Sequence, residues 1–452
     1  MPHSILNTLQ ERASTRVDAR SAIVFRVLLG GLVAWSAARF LINGWVAQFF
    51  LEPTFFFKYW GFSWLHVPSE PVVYAMFIAL TLCGVAIASG RLYHVASVGA
   101  LALFSIIEFW DVTNYLNHYY LVSLLLLLTC WMPLGARRTS DTLPAWMLWL
   151  LRFQVATVYF WAGMAKFGTD WLIHAEPMHL WMRARVDTPV IGPMLAHWWV
   201  ALAMSWAGFL FDSTIWAFLL WKPTRRVAYA IVVGFHMMTG MLFNIGLFPV
   251  IMICGATLFF SPDWPTRFGM KRREEDAAQV RSSAPAKWQL ALIALFCTWQ
   301  VLMPARHLLY KPSGGDVLWD EQGMRWSWKV MVREKNGAIT YLVRLPTRRR
   351  DLHVPPTRYL TDHQAREMSG QPDLILQLAK HIGQEYRAKG HDKVEVRVDA
   401  KVSLNGRPPH PLIDPEVDLM AVDDGLMPAD WILPPPPSRQ EITKWIPHRL
   451  ER

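Results

Sequence analysis

The chain has 452 residues, 53% of them hydrophobic, with 24 Trp, 24 Phe and a formal charge of +10. Charge is concentrated at the N-terminus, in short loops and beyond residue 305, which excludes an ordinary soluble globule and describes a polytopic α-helical membrane domain followed by a soluble C-terminal part. The basic excess lies largely in loops, where it biases topology, so no nucleic-acid partner is implied; Cys83, Cys130, Cys254 and Cys297 all lie in apolar runs and offer no disulfide framework or CxxC metal site.

Residues 1–21 carry Arg12, Arg16 and Arg20 and read as a cytoplasmic segment, without the short apolar core and cleavage site of a signal peptide. Apolar runs follow near 22–42, 72–90, 94–110, 116–133, 145–166, 199–220, 227–243, 246–260 and 287–304. They predict about nine spans, several near or below the lower limit of ~17 residues. With the N-terminus inside, the inside loops hold Arg91, then Arg137 and Arg138, then Lys222, Arg225 and Arg226, then Arg267, Lys271, Arg272 and Arg273. This positive-inside pattern puts everything after about residue 305 outside, the membrane being the inner one if the chain is bacterial. The expected domains are the segment 1–21, a transmembrane domain 22–305, an extracytoplasmic α+β domain 306–433 and a Pro-rich tail 434–452.

The first outside loop, 43–71, is dense in aromatics from Phe55 to Trp64, and reads either as a roof over an apolar pocket or as a headgroup-level belt. In the next outside turn, Asn117 and His118 lie at the apolar boundary, where a polar group caps a helix or needs another partner. Lys166 ends the run that begins at Ala145, a rise of ~33 Å if helical, so it sits at the far face of the membrane. There a lysine is either a snorkelling interfacial cation or a partly desolvated amine acting as a base. Asp170, four residues on, is expected to turn its carboxylate away from that amine, toward water or a backbone cap. His174, Glu176 and His179 have metal-ligand character, but Pro177 interrupts them and no further ligand is in register, so no metal is expected. His236 falls near mid-membrane, where a packing role and a site role are both open.

Past residue 304, Trp326–Glu334 alternates, Lys335-Asn336-Gly337 reads as a turn, and Ala338–Val343 resumes, which predicts a β-hairpin. Leu374, Ile375, Leu378 and Ile382 have helical spacing over 372–388. Further strands are expected at Val394–Val398 and Ala400–Leu404, ended by Asn405-Gly406. No internal repeat, Gly-rich phosphate loop or Gly-x-Ser-x-Gly elbow is found.

Several stretches, in order over nearly the whole chain, carry a resemblance. They are Asn117-His118-x-Tyr120-Leu121, Val158-Tyr159-Phe160 with Ala162-Gly163, Lys166 through Asp170-Trp171, Phe235-His236-Met237, Ile245-Gly246-x-Phe248-Pro249, Ser261-Pro262-x-Trp264-Pro265, Ser327-Trp328-x-x-Met331-Val332 and Asp414-Pro415-x-Val417-Asp418. The chain resembles the vitamin K-dependent γ-glutamyl carboxylase family, within the broader group sharing its transmembrane (HTTM) domain. The resemblance implies that Lys166 is the base that deprotonates vitamin K hydroquinone, with O2 and CO2 as co-substrates. It implies release of the epoxide and γ-carboxylation of a glutamate in a protein or peptide. It also implies that Asn117, His118 and His236 contact the quinone or handle protons, and that Trp326 and Trp328 lie on the substrate side. Two departures touch that side: Trp326 stands where the family has Tyr, and Lys329 where an acid is usual. The bilayer, the quinone and a Glu-containing peptide are the expected partners. Epoxidation without carboxylation, and non-catalytic quinone or lipid binding, are the alternatives.

Overall fold

The computed structural model describes residues 11–136, 141–271, 285–310 and 316–436. Residues 1–10 of the N-terminal segment, Arg137, Arg138, Arg272, Arg273 and residues 437–452 of the tail lie outside the described residues.

Each apolar run forms a helix: α1 (Arg20–Ile42), α2 (Glu70–Ser89), α3 (Tyr93–Glu108), α4 (Asn117–Thr129), α5 (Ala145–Met164), three short helices α6 (Thr169–Leu172), α7 (Met178–Arg183) and α8 (Gly192–Leu195), then α9 (Trp198–Leu220), α10 (Arg225–Leu242), α11 (Phe248–Ala256) and α12 (Lys287–Ala305). The expected nine spans are not all matched by helices of spanning length and composition. Among the described residues, four stretches are long and apolar enough to cross a bilayer: Arg20–Ile42, Glu70–Ser89, Trp198–Leu220 and Lys287–Leu309. Helices α3, α4 and α11 are apolar but short; the 13 residues of α4 rise only ~20 Å against a ~30 Å hydrocarbon core.

Close backbone approach packs the bundle where hydrophobicity alone gives no drive. At the α1–α2 crossing, a Cβ on Gly30 would lie 2.5 Å from Ala88 N, and one on Gly84 would lie 2.5 Å from Ala34 N. Arginines tie the helix ends together. Arg26 donates to Leu134 O at 2.9 Å and Ala88 O at 3.1 Å, and Arg152 to Leu258 O at 2.7 Å and Phe260 O at 2.9 Å. Two three-residue strands, β1 (Arg16–Asp18) and β2 (Thr142–Pro144), pair antiparallel on the same side.

The C-terminal domain is α+β. After a short helix α13 (Val317–Asp320) come β3 (Lys335–Arg344), β4 (Leu352–Val354), α14 (Asp362–Met368), α15 (Pro372–Ala388), β5 (Glu395–Leu404) and β6 (His410–Pro411). The sheet order is β4-β3-β5-β6, all neighbours antiparallel. Strand β5 alternates cleanly: Val396, Val398, Ala400, Val402 and Leu404 are buried and face Leu374, Ile375, Leu378 and Ile382 of α15 in one core.

The expected hairpin at 335–337 does not form. Lys335, Asn336 and Gly337 open β3, pairing with Leu404, Ser403 and Val402. Gly337 serves close approach, since a Cβ there would lie 2.4 Å from Ser369 O. Trp326–Glu334 is irregular, with Trp326 (φ 57°), Trp328 (φ 57°) and Met331 (φ 51°) all left-handed, which costs roughly 1 kcal/mol or more per residue. The two strands expected at 394–398 and 400–404 are one, β5.

The aromatic loop is drawn in part into the C-terminal domain, while its Trp60 and Trp64 stay exposed. Phe57 and Tyr59 are buried in the core of the C-terminal domain, with Phe55 and Phe62 against it. Lys58 N donates to Gln377 Oε1 at 2.9 Å, Gln377 Nε2 returns to Lys58 O at 3.0 Å, and Gln364 Nε2 donates to Phe55 O at 2.8 Å. An extended segment whose backbone is satisfied by glutamines of another domain fixes that domain to the bundle.

Near this junction, burial raises the Asp320 carboxyl to about 7, with Asp316 and Glu321 adding to the shift and the Gln322 N–H opposing it. A raised carboxyl favours the protonated fold, so its contribution is complete below about pH 4 and is lost as pH rises through 7. Asp320→Asn keeps an acceptor for Gln322 N and should therefore raise Tm relative to the parent at pH 8 but not at pH 4. Calorimetry at the two pH values checks this, and parallel Tm–pH curves would refute it.

Candidate functional site

Helix α5 is the spine of the site. Tyr159 and Lys166 are seven residues apart, two turns or ~10.5 Å along the axis, and so project on nearly the same face. Lys166 follows the last residue of α5 and is 6% exposed. Its Nζ lies 2.8 Å from Asp212 Oδ2 on α9 and donates to Ala162 O at 3.1 Å and Val330 O at 3.5 Å. The Trp171 ring centroid is 5.4 Å away, a cation–π contact. Two turns back, the Tyr159 hydroxyl is 3.0 Å from His236 Nε2 on α10. His236 is 2% exposed, and its Nδ1 has no hydrogen-bond partner among the described residues.

Lys166, Asp212, Tyr159 and His236 line one cavity of about 60 Å³. Apart from Thr239, the rest of its wall is apolar, including Val158, Phe235, Phe243, Phe248 and Ile245, with Met331 and Val330 from the left-handed loop. The void is smaller than the ~150 Å³ that holds a benzene ring, so a fused aromatic ring enters only if side chains move. Met178, Met204, Met238, Met252 and Met331 on the wall are unbranched and adaptable, which makes that movement cheap. Chemically the set suits a planar apolar ligand bearing hydroxyl or carbonyl oxygens: a charged pair at one end, a phenol–imidazole pair at the other, and a buried imidazole nitrogen free to bond.

The other sequence-derived residues divide. His118 is buried but lines a separate, smaller cavity of about 10 Å³ with Leu32, Val33, Phe104 and Ile251. Phe248 stands between the two histidines, its ring centroid 6.3 Å from that of His118 and 6.0 Å from that of His236. Asn117 Oδ1 accepts from the Tyr115 hydroxyl at 3.1 Å, and the same hydroxyl accepts from Trp326 N at 2.7 Å, which links Asn117 to the loop over the cavity. Trp326 stacks on Tyr59 at 5.6 Å and the fully buried Trp328 on Tyr120 at 4.9 Å, so both rings anchor the left-handed loop. Asp170 does turn from Lys166, but toward side chains of the other domain: Arg407 at 2.6 Å and Asn405 Nδ2 at 2.9 Å. His179 Nδ1 is 3.7 Å from Glu176 Oε1, and no group of three or more His, Cys, Asp or Glu side chains suited to a metal is found among the described residues.

Sequence reasoning assigned no role to Asp212 or Tyr159. Asp212 is the only acid in the 23 residues of α9, and an ionisable residue at that depth is itself the signal.

The two histidine environments predict different outcomes. His236→Ala removes the partner of Tyr159 from the Lys166 cavity and should cut any activity at that cavity ~10–100-fold. Behind Phe248, His118→Ala should cost clearly less. Equal losses in side-by-side turnover assays would refute this ordering.

Two family models match the chain. One, the HTTM domain, covers residues 15–264. The other, described as the lumenal domain of vitamin K-dependent gamma-carboxylase, covers residues 285–437 and so takes in α12 as well as the α+β domain. No solved structure matches significantly.

Proposed function

Because the chain belongs to the vitamin K-dependent γ-carboxylase family, we propose that it oxygenates a vitamin K-type hydroquinone to the epoxide and couples this to γ-carboxylation of a protein or peptide glutamate. The observation that carries the reading is the convergence of Lys166, Asp212, Tyr159 and His236 on one apolar cavity among membrane helices. When bound, the hydroquinone supplies, with O2, a base strong enough for a glutamate γ-proton, which no side chain is, and CO2 then adds to the carbon.

The protein's own part is to bind, orient and keep dry. Lys166 and Asp212 form the pole that takes a proton from a ligand hydroxyl. Tyr159 and His236 hold a second oxygen about two helical turns away, a spacing of the order of a para-quinol with a hydrogen bond at each end. The apolar wall excludes water, and the loop carrying Val330 and Met331 separates the cavity from the C-terminal domain, where a peptide would be presented. We assign the N-terminus to the cytoplasm and the C-terminal domain to the extracytoplasmic side, in keeping with the arginine distribution and the lumenal description of its family.

One observation favours epoxidation without carboxylation. Lys329, where the family usually has an acid, is buried with Nζ 3.2 Å from His307 Nδ1, and Trp326 has no phenol to offer. Purified protein incubated with phylloquinone hydroquinone and O2 tests the reading, with the epoxide followed by chromatography and labelled bicarbonate plus a Glu-rich peptide added in parallel. Epoxide is expected. Label in the peptide separates the coupled from the uncoupled activity, and absence of both quinol binding and epoxide overturns the proposal.

A further inference from the structure

The turn that follows β5 reaches back to the membrane domain and is tied to two wall segments of the Lys166 cavity at once. Asn405 (φ 50°) and Gly406 (φ 73°) are both left-handed there, a conformation that Asn and Gly adopt more readily than other residues. Asn405 is 3% exposed. Its N–H donates to Glu334 O at 2.8 Å, its Oδ1 accepts from Glu334 N at 2.9 Å, and its Nδ2 donates to Asp170 Oδ2 at 2.9 Å. Arg407 Nη2 adds a contact of 2.6 Å to each Asp170 oxygen.

Both partners stand beside the cavity wall. Asp170 precedes Trp171, which lines the cavity and whose Nε1 donates to Ser205 O of α9 at 2.8 Å. Glu334 closes the left-handed loop that supplies Val330 and Met331 to the wall. Glu334 Oε2 also accepts from Trp181 Nε1 of α7 at 2.7 Å, and Leu180 of the same helix packs on the turn, 3.3 Å from an ideal Cβ on Gly406. Met178, which opens α7, lines the cavity as well.

Attachment of the C-terminal domain does not account for this arrangement. The Phe55–Tyr59 segment, with Gln364 and Gln377, already fixes that domain to the bundle through other residues. The Asp170 side chain is held at 21% exposure and that of Arg407 at 10%, a desolvation that a simple surface tie does not require. What the turn adds is a fixed distance between wall segments from separate parts of the chain. That distance matters because a void of about 60 Å³ admits an aromatic ring only when its walls part.

We infer that Asn405 and Arg407 are positioning residues: acting through Asp170 and Glu334, they clamp Trp171 and the Val330–Met331 loop so that the walls close again over a bound ligand. The inference rests on the quinol reading for the identity of that ligand, and deepens it by naming what closes the site. Neither residue touches the ligand. With the clamp in place the ring is held dry and in register; with the clamp released the ring still binds, but water enters and the reacting oxygens lose their alignment.

The test separates the clamp from the chemistry. Asn405→Asp keeps the acceptor for Glu334 N–H and turns the donor to Asp170 into a like charge. Adding Asp170→Asn exchanges donor and acceptor and restores that bond, with a carboxylate still present for Arg407. In one arm, Met178→Cys is introduced on the cavity wall of the full-length protein in lipid nanodiscs, and its labelling by a hydrophilic maleimide is followed. Reaction of the four native cysteines is subtracted using the protein without Met178→Cys. This arm needs no quinol. In the other, turnover of phylloquinone hydroquinone with O2 is measured without the added cysteine. Asn405→Asp should speed labelling ~10-fold and lower kcat ~10-fold while KM moves less than ~3-fold, and the double variant should return both toward the parent. Arg407→Ala should act in the same direction as Asn405→Asp, and Arg407→Lys, which keeps the charge, should stay near the parent. Labelling unchanged in Asn405→Asp, losses that the double variant does not recover, or a rise in KM at parental kcat would overturn the inference and leave the quinol reading standing. If Asn405→Asp does not fold, as judged by Tm, the same comparison is read between Arg407→Ala and Arg407→Lys. A parent that neither binds nor oxidises the quinol overturns the quinol reading, and the labelling arm then decides the clamp alone.

Discussion

Lys166→Ala and Lys166→Arg should both lose quinol oxidation, by ~100-fold or more, for different reasons. Alanine removes the group that touches the ligand hydroxyl and leaves the Asp212 carboxylate buried and unpaired 2.8 Å from where its partner stood. Breaking a buried pair on one side costs about 3–5 kcal/mol, so this variant should also melt at a lower temperature. Arginine keeps the charge and the ion pair, and the protein should fold close to normally. It fails chemically because a guanidinium stays protonated and cannot take the proton of a ligand hydroxyl. A small primary amine added to Lys166→Ala should restore part of the activity, since it can occupy the vacated space and take the proton of a ligand hydroxyl in place of the lysine amine. Epoxide formation by chromatography and Tm by calorimetry separate the chemical from the structural loss. An arginine variant with parental activity would return Lys166 to the role of an interfacial, snorkelling cation.

Much of this architecture is legible in the sequence because a membrane imposes it locally. Every apolar run became a helix, since a spanning backbone must satisfy its own hydrogen bonds, and the charged loops between runs mark the ends. Lys166 and His236 could be singled out because an ionisable group at membrane depth is rare. Their partners could not. Asp212 stands 46 residues beyond Lys166 and Tyr159 stands 77 before His236, and only the packing of α5, α9 and α10 decides that these four meet. The same non-locality hid the sheet. Asn336-Gly337 has the composition of a tight turn, but Gly337 is glycine because Ser369 O approaches it, and β3 pairs with a strand some 60 residues further on. Likewise the aromatics from Phe55 to Phe62 have the composition of a membrane belt, and the burial of Phe57 and Tyr59 among them is decided by a domain that begins some 250 residues later.

The close crossing of α5 and α9 carries the other large expectation. An ideal Cβ on Gly163 would lie 2.6 Å from Ser213 Oγ, 2.7 Å from Ser213 N and 2.8 Å from Ser213 Cα. Gly163 is one turn before Lys166 and Ser213 is the residue after Asp212, so the contact that glycine permits is also what holds the ion pair together. Gly163→Ala forces the helices apart by several tenths of an ångström and should lower turnover ~10-fold, because charge-assisted contacts weaken and misalign with small displacements. Gly163→Val should abolish it and cost about 1–3 kcal/mol of stability through overpacking. Ser213→Gly should not rescue either variant, since two of the three close atoms belong to the Ser213 backbone. The control is Gly31→Ala on α1, where a Cβ meets nothing within 4 Å, and where neither Tm nor turnover should change. Quinol binding by Gly163→Ala should persist while its turnover falls, since the apolar wall is left in place and only the lysine–aspartate geometry is disturbed. Parental turnover in Gly163→Val would mean that the Lys166–Asp212 contact is incidental to the chemistry.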